Sequence, residues 1–162
     1  MKHNINIFCN NERVGIIEID LNSNNVELIY DENWKNIGFE LSPHLKFDKS
    51  IDSNSIKKFV NNLLPEGNGL DAISIILQIS KANKFGLLEA IGNETAGALT
   101  FSPDNIVVTN FREISNEELT ERIINKENIN ITLWDGKIRL SLSGVQDKLP
   151  LVVLKDNKYG IR

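Results

Sequence analysis

The sequence predicts an α+β fold in which an antiparallel β-sheet or meander carries a helical layer and is followed by a small β module with a glycine-containing loop. Three observations predict this fold. Apolar, β-branched runs separated by polar turns occupy the first part of the chain. The apolar period then lengthens to that of helices after residue 53, and two strand-like runs flank Gly144 near the end of the chain.

The composition limits the function classes. The chain has 162 residues, 41% hydrophobic and 25% charged, as in one soluble domain or two small subdomains sharing a core. A net charge of −4, with no Lys/Arg cluster, argues against direct DNA or RNA binding. The single cysteine, Cys9, agrees with a reducing cytoplasm, and neither a leader nor an apolar stretch of membrane-spanning length is evident. We therefore expect a cytoplasmic protein that does not enter a membrane.

The first strands follow from apolar runs at residues 5–9, 13–20 and 26–31, which predict a hairpin and a third antiparallel strand. Trp34 is expected in a loop, as an anchor for sheet packing. Residues 37–42 then alternate, which predicts a fourth strand with Ile37, Phe39 and Leu41 facing inward.

Three helical segments follow. A first helix over 53–64 is predicted by its apolar stripe, with N-cap candidates at 53–55 and a stop at 65–67; the stripe consists of Ile56, Phe59, Val60, Leu63 and Leu64. A second helix, over about 70–84, is apolar on most sides and is expected to be mostly buried, Ile75 and Ile76 included. A third short element, 87–91, ends at Gly92.

The chain then returns to strands. Residues 97–101 predict a strand closed by the turn 102–105, with an extension at 106–108. Ser115 is predicted to cap a helix over 116–125, and Ser115-x-x-Glu118 matches a capping box. The polar segment 126–132 predicts a boundary, so that residues 1–125 form an N-terminal subdomain and 126–162 the start of a second module.

The segment around Gly144 has the features of a phosphate-binding loop. A strand over 138–143 buries alternate apolar residues and presents Ser141 and Ser143 on its polar face, after a turn at 133–137. Gly144 lets backbone N–H groups approach another group closely, and the cation of Lys148 follows four residues later. Strands over 149–154 and 159–162 complete the module. By spacing alone, a lone glycine between two strands is usually only a hairpin or a bulge, and the loop matches neither Gly-x-x-x-x-Gly-Lys-Ser/Thr nor Gly-x-Gly-x-x-Gly.

Other chemistry is sparse. His3 and His44 lack a carboxylate or thiol neighbour at ligand spacing, so we expect no metal site. The sequence has no Gly-x-Ser-x-Gly elbow and no Cys/His pair typical of a nucleophile. Glu66, between Pro65 and Gly67, is interpreted as closing a turn.

Three segments in the same order resemble the N-terminal region of HipA-like serine/threonine kinase toxins, the toxins of bacterial type II toxin–antitoxin pairs. They are FVNNLLPEG at 59–67, AIG with GALTF at 90–92 and 97–101, and RLSLSGVQDK at 139–148. The resemblance covers nearly the whole chain and implies an ATP-covering loop, which consists of Ser143, Gly144, Val145, Gln146, Asp147 and Lys148.

The resemblance also implies regulation of this loop. Ser141 matches the serine that is autophosphorylated in the family, which ejects the loop and switches the kinase off. Ser143 stands where many members carry alanine, and the Ser-x-Ser pair resembles a branch in which the kinase is split from its N-terminal subdomain. Ser141 and Ser143 are therefore both candidates for autophosphorylation.

The chain ends at Arg162, before the anchoring lysine, the catalytic aspartate with its asparagine and the metal-binding aspartate of the family. We therefore expect no catalytic residue in these 162 residues, no catalysis and no tight ATP binding by them alone, with ATP and Mg²⁺ used by the parent kinase. The implied substrate is a serine in a translation protein such as an aminoacyl-tRNA synthetase. The implied partners are the remaining kinase core and a helix-turn-helix antitoxin of the HipB type, and the implied role is in persistence.

Two alternatives stay open. The chain is a non-catalytic interaction module whose helices over 53–91 dock on a separate kinase core or antitoxin, or it is a plain α+β domain with an incidental hairpin at Gly144.

Overall fold

A computed structural model describes residues 1–94, 98–105, 112–125, 133–134, 137–138, 151–154 and 158–161. Its strands are β1 (Lys2–Cys9), β2 (Glu12–Asp20), β3 (Asn25–Tyr30), β4 (Leu99–Ser102), β5 (Arg112–Ile114), β6 (Leu133–Trp134), β7 (Lys137–Ile138), β8 (Val152–Val153) and β9 (Tyr159–Ile161). Its helices are α1 (Glu32–Ile37), α2 (Ser53–Leu63), α3 (Gly67–Leu77), α4 (Lys84–Ile91) and α5 (Asn116–Ile124), and a 3₁₀ turn, Gly92–Glu94, follows α4. Among these residues, none of the helices has the length and apolar character needed to cross a membrane.

The first sheet is antiparallel, with strand order β3-β2-β1-β4. The first three strands form the expected meander, because short polar turns connect them, and β4 returns after the helices to pair with β1. The registers place Ile5 opposite Ile17 and Ile7 opposite Phe101, so the apolar residues of three strands share one face. The predicted α+β fold is therefore confirmed.

The main core lies between this face and the helices. Ile56 of α2 and Leu88 of α4 are fully buried in the same cluster as Ile5, Ile17 and Phe101. The predicted apolar stripe of α2 is thus confirmed, since Ile56, Val60 and Leu63 are its buried residues. The helix is capped by Asp52, whose carboxylate accepts a hydrogen bond from the Ser55 N–H (3.2 Å), rather than by a residue within 53–55.

The loop predicted at Trp34 and the strand predicted over 37–42 are wrong, because Trp34 lies in α1, which ends at Ile37, and residues 38–42 form no strand. Asp31 caps α1 by accepting from the Asn33 N–H (2.9 Å), and the buried Trp34 donates from Nε1 to the Phe39 carbonyl (3.0 Å). Ile37 and Phe39 are 69% and 55% exposed instead of facing inward. The local cap and the packing of the indole outweigh the alternating pattern.

The second predicted helix is shorter than expected and shifted. α3 begins at Gly67 and ends at Leu77, because Gln78 adopts a left-handed conformation (φ 55°) and the Ser74 hydroxyl donates to the Ile79 carbonyl (2.6 Å). Ile75 and Ile76 are 75% and 57% exposed, so the prediction that they are buried is wrong. A separate helix, α4, starts at Lys84 and includes the short element predicted at 87–91.

A second sheet has strand order β5-β9-β8, and β6 pairs with β7 in a separate hairpin. Ile114, Trp134 and Ile161 form a small core of their own, against which Leu119 and Leu151 pack. β5 and β9 join residues on both sides of the predicted boundary between 125 and 126 in one sheet. The division at that point stays a prediction, and the segments 106–108 and 126–132 lie outside the described residues.

Candidate functional site

The predicted phosphate-binding loop is reached by strands that the structure describes on either side of it. Ser141 and Ser143 to Lys148 lie outside the described residues, as does the strand predicted over 138–143 apart from Ile138, which belongs to β7. The structure places β7 before this segment and β8 after it. The geometry that can be described is therefore the frame that holds the two ends of the loop.

The strand before the loop belongs to a tight hairpin. β6 pairs with β7 so that Leu133 lies opposite Ile138 and Trp134 opposite Lys137, with an Asp-Gly pair between the strands. Asp-Gly favours a two-residue hairpin turn. Three residues of the turn predicted at 133–137 thus lie in strands.

Trp134 ties this hairpin to α5 and β5. Its side chain is fully buried, and the guanidinium carbon of Arg122 lies 3.9 Å from the centre of its ring. The guanidinium carbon of Arg112 lies 5.8 Å from the same centre. A cation over an indole face is attracted by the electron-rich ring, so both arginines stabilise the position of the hairpin.

Arg112 also connects β5 to the start of α5. Its guanidinium donates two hydrogen bonds to the Glu118 carboxylate, at 3.0 and 2.7 Å. These bonds lower the pKa of Glu118 below its ordinary value, so the pair stays ionised at neutral pH. The Ser115 hydroxyl accepts a hydrogen bond from the Glu118 N–H (3.1 Å), which confirms Ser115 as the predicted cap of α5. The Glu118 carboxylate, the second partner in a capping box, is instead bonded to Arg112.

The strand after the loop is held on the other side of the frame. β8 pairs with β9, and the Leu154 N–H donates to the Lys158 carbonyl (2.7 Å) across the turn. The Lys158 ammonium forms an ion pair with Glu113 of β5 at 2.7 Å. The strand predicted over 159–162 is confirmed as Tyr159–Ile161, and the strand predicted over 149–154 is confirmed only at Val152–Val153, since Leu151 and Leu154 lie outside the strand.

The frame fixes the strand that precedes the loop, β7, and the strand that follows it, β8. Sequence reasoning missed the residues that build this frame, namely Arg112, Glu118, Arg122 and Trp134. Trp134 is the residue from which part of the frame could have been predicted, because a tryptophan beside a turn needs an apolar surface to cover its ring. Its partners come from a segment assigned to another subdomain, and no local pattern indicates them.

The remaining candidates are structural in the described part of the chain. His3 lies 2.7 Å from the Glu89 carboxylate through Nε2, a neighbour that sequence spacing did not reveal. His44 is exposed, and Glu66 occupies the N-cap position of α3. No group of three or more potential metal-ligating side chains occurs among the described residues.

Comparison with known proteins places this α+β domain and its loop frame in a family. Residues 5–102 match the family model of the HipA N-terminal domain. The chain is 41% identical over 140 residues to the serine/threonine-protein kinase toxin HipA of Shewanella oneidensis. The aligned region covers 85% of this chain and 32% of the toxin. A solved complex of HipA, HipB and operator DNA from the same organism matches with a TM-score of 0.71 and 36% identity, over 96% of this chain and 37% of the matched chain.

The family model matches more than half of the chain, and together with this identity it defines the class: proteins with a HipA N-terminal domain. The chain belongs to the HipA family and contains its N-terminal domain. It spans about a third of the length of the toxin that it matches.

Proposed function

We propose that these 162 residues are the N-terminal portion of a HipA-like serine/threonine protein kinase toxin and supply its ATP-covering loop, residues 143–148. The observation that supports this most is the structural match over 96% of the chain. The unmatched remainder is shorter than the segment 150–162, so the match includes residues on both sides of the loop. The frame around Trp134 supports the same proposal, since it anchors both flanking strands.

The residues of the loop fit a nucleotide phosphate chemically. Gly144 has no Cβ and allows backbone N–H groups to approach phosphate oxygens, and Lys148 supplies a cation. Mg²⁺ would neutralise part of the phosphate charge when ATP is bound, and the parent kinase would supply its ligands and the groups of phosphoryl transfer. In this proposal the 162 residues orient the nucleotide and do not catalyse on their own.

Ser141 and Ser143 would make the loop self-regulating. Either hydroxyl oxygen would accept the γ-phosphoryl group of ATP, with loss of its proton and release of ADP. The new phosphate carries nearly two negative charges close to the site of the ATP phosphates, so loop closure and nucleotide binding would oppose each other. Phosphorylation of the loop would therefore switch the kinase off.

The partners follow from the relatives. The matched structure contains HipA, HipB and operator DNA. We infer a helix-turn-helix antitoxin of the HipB type as the partner of this protein and assign the operator contact to that antitoxin, because this chain has a net charge of −4. The parent kinase would act in the cytoplasm, in persistence, on a serine of a translation protein such as an aminoacyl-tRNA synthetase.

Nucleotide affinity of the parent kinase tests the loop directly. Lys148→Ala should weaken the binding of ATP with Mg²⁺, measured by calorimetry, by about tenfold or more, as expected when one charge-assisted contact is lost. Lys155→Ala, which removes the same charge outside the loop, is the matched control and should bind like the unaltered protein. Equal affinity for the two variants would contradict the assignment of the loop.

The interaction-module alternative is favoured by one observation, the exposure of Ile75 and Ile76 on α3. Two large apolar side chains side by side on a helix are typical of a surface that another protein covers. Under this alternative the 162 residues bind a separately expressed kinase core or antitoxin in a pull-down, and Ile75→Asp abolishes the binding. Ile37→Asp, at an exposed isoleucine at the end of α1 and outside α3, is the control.

A further inference from the structure

The outer edge of β3 carries backbone groups that the sheet does not use. The Asp31 N–H donates to the Val14 carbonyl of β2 (2.9 Å), whereas the Val26 N–H donates away from β2 to the Ser53 hydroxyl (3.1 Å). Because backbone direction alternates along a strand, the N–H and C=O groups of Leu28 and Tyr30 also face away from β2. Among the described residues these groups have no hydrogen-bond partner.

A groove runs along this edge. It has a volume of about 460 Å³ and lies between β3 and residues 46–53, with Glu32 and Lys35 of α1 at one end. We call it the β3 groove. All six residues of β3 line it, so it is as long as the strand.

The opposite wall of the β3 groove is fixed by Tyr30. Its hydroxyl donates to the Leu45 carbonyl (2.6 Å) and accepts from the Leu41 N–H (3.1 Å). Its ring meets the ring of Phe47 edge to face, with centres 4.7 Å apart. Leu45 is fully buried. These contacts hold the wall in place beside the strand without pairing with its backbone.

Apolar and cationic side chains lie along the wall of the β3 groove that faces the strand, whereas the strand itself carries the carboxylate of Glu27. Phe47 and Ile51 are half-buried along the wall. Lys46 and Lys49 line the same wall and have no ion-pair partner in the part of the chain that the structure describes, whereas Lys35 is paired with Glu32 at 2.7 Å. The free charge of the wall is therefore positive.

We propose that the β3 groove binds an extended peptide segment of another protein, in which acidic and apolar side chains alternate, as a fifth strand of the first sheet. The backbone of the peptide would pair with Leu28 and Tyr30, as in other cases of strand addition to a sheet edge. Its acidic side chains would meet Lys46 and Lys49, and its apolar side chains Phe47 and Ile51. This site does not depend on the nucleotide loop or on the proposed kinase activity.

The first test selects peptides from a random seven-residue display library on the full protein. We expect enriched peptides to alternate apolar and acidic residues and to lose at least tenfold in affinity on the double variant Lys46→Glu/Lys49→Glu. Lys58→Glu, an exposed lysine of α2 outside the groove, is the matched control and should bind them unchanged. Failure to enrich any peptide, or enriched peptides that bind the double variant equally well, would overturn the proposal.

Amide hydrogen exchange provides the second test and locates the peptide. The Leu28 and Tyr30 amides should exchange rapidly in the free protein and become protected with the selected peptide, whereas the Glu27 and Ile29 amides, which face β2, should already be slow. Protection of Leu28 and Tyr30 in the free full protein would show that its own chain fills the groove, and unchanged exchange with peptide bound would place the peptide elsewhere. Either result would overturn the proposal.

Discussion

Asn6 is the buried polar side chain that connects the centre of the first sheet to the turn after β4. It is 4% exposed, and its Nδ2 lies 3.2 Å from both the Pro103 and the Asp104 carbonyls. Its Oδ1 accepts from the Arg13 guanidinium at 3.2 Å. The carboxamide thus donates to backbone carbonyls of the turn and accepts from the Arg13 side chain, so it needs both its donor and its acceptor.

Asn6→Asp should therefore destabilise the fold. The carboxylate cannot donate, so it leaves the two carbonyls without their hydrogen bonds and places a negative charge beside them; we expect a loss of about 1–3 kcal/mol in the free energy of unfolding. Urea denaturation measures it. Asn4→Asp makes the same change at an exposed position of β1 and should stay within about 0.5 kcal/mol of the unaltered protein. Equal stabilities of the two variants would contradict the role given to Asn6.

Glu118 leads to a prediction about pH. Its pKa in the folded protein is lowered by the Arg112 hydrogen bonds, so its contribution is present above its unfolded pKa, about 4.5, and is lost as the pH falls through the lower folded value. Glu118→Gln should lower the free energy of unfolding by about 0.5–1 kcal/mol at neutral pH, and the difference should vanish in strong acid.

Urea denaturation over a series of pH values measures the effect of Glu118→Gln. Glu117→Gln, at the neighbouring glutamate in the first turn of α5, is the control. If the difference in the free energy of unfolding between the Glu118 variant and the unaltered protein grew as the pH fell, the stabilising role of the ionised Glu118 would be contradicted.

At the scale of elements, the sequence predicted what local chemistry determines. The stripe of α2 and the cap of α5 at Ser115 could be read because the deciding residues lie within one or two turns. α1 was missed because a six-residue helix rests on a single cap at Asp31 and a buried Trp34, which leave no long apolar stripe in the sequence. The pairing of β5 with β9 could not be predicted, because it joins residues about 50 positions apart and no local pattern encodes a partner at that distance.

The junction of α4 with β4 gives a prediction at this scale. A Cβ on Gly92 would collide with the Phe101 carbonyl, a backbone group that cannot move without disturbing β4. Gly92→Ala should destabilise the protein by about 1–3 kcal/mol in thermal or urea unfolding, because the helix must shift away from the strand. Gly69→Ala in α3, where the nearest atom is 3.1 Å away in the Pro65 side chain, should have a much smaller effect. Similar losses at both positions would contradict the close approach.

At the scale of the molecule, the chain combines a sheet covered by helices with a second sheet and a separate hairpin, and the predicted loop lies in the sequence between β7 of the hairpin and β8 of the second sheet. The family was predicted from three short segments and is confirmed by the match over 5–102 and by the relatives. The fold class could be predicted because hydrophobic period and turn chemistry agree along most of the chain. The frame of the loop could not, because Trp134 and its two arginines are distant in sequence, and the loop assignments of Ser141 and residues 143–148 stay predictions.

The most direct measurement is phosphopeptide mapping of the parent kinase after incubation with ATP and Mg²⁺. Trypsin cleaves after Arg139 and Lys148 and releases residues 140–148, in which Ser141 and Ser143 are the only hydroxyl side chains. We expect this peptide to gain one phosphate on Ser141 or Ser143, which fragment ions would identify, and the double variant Ser141→Ala/Ser143→Ala to gain none. An unmodified peptide after incubation with ATP would contradict a loop that covers the nucleotide and is regulated by its own phosphorylation.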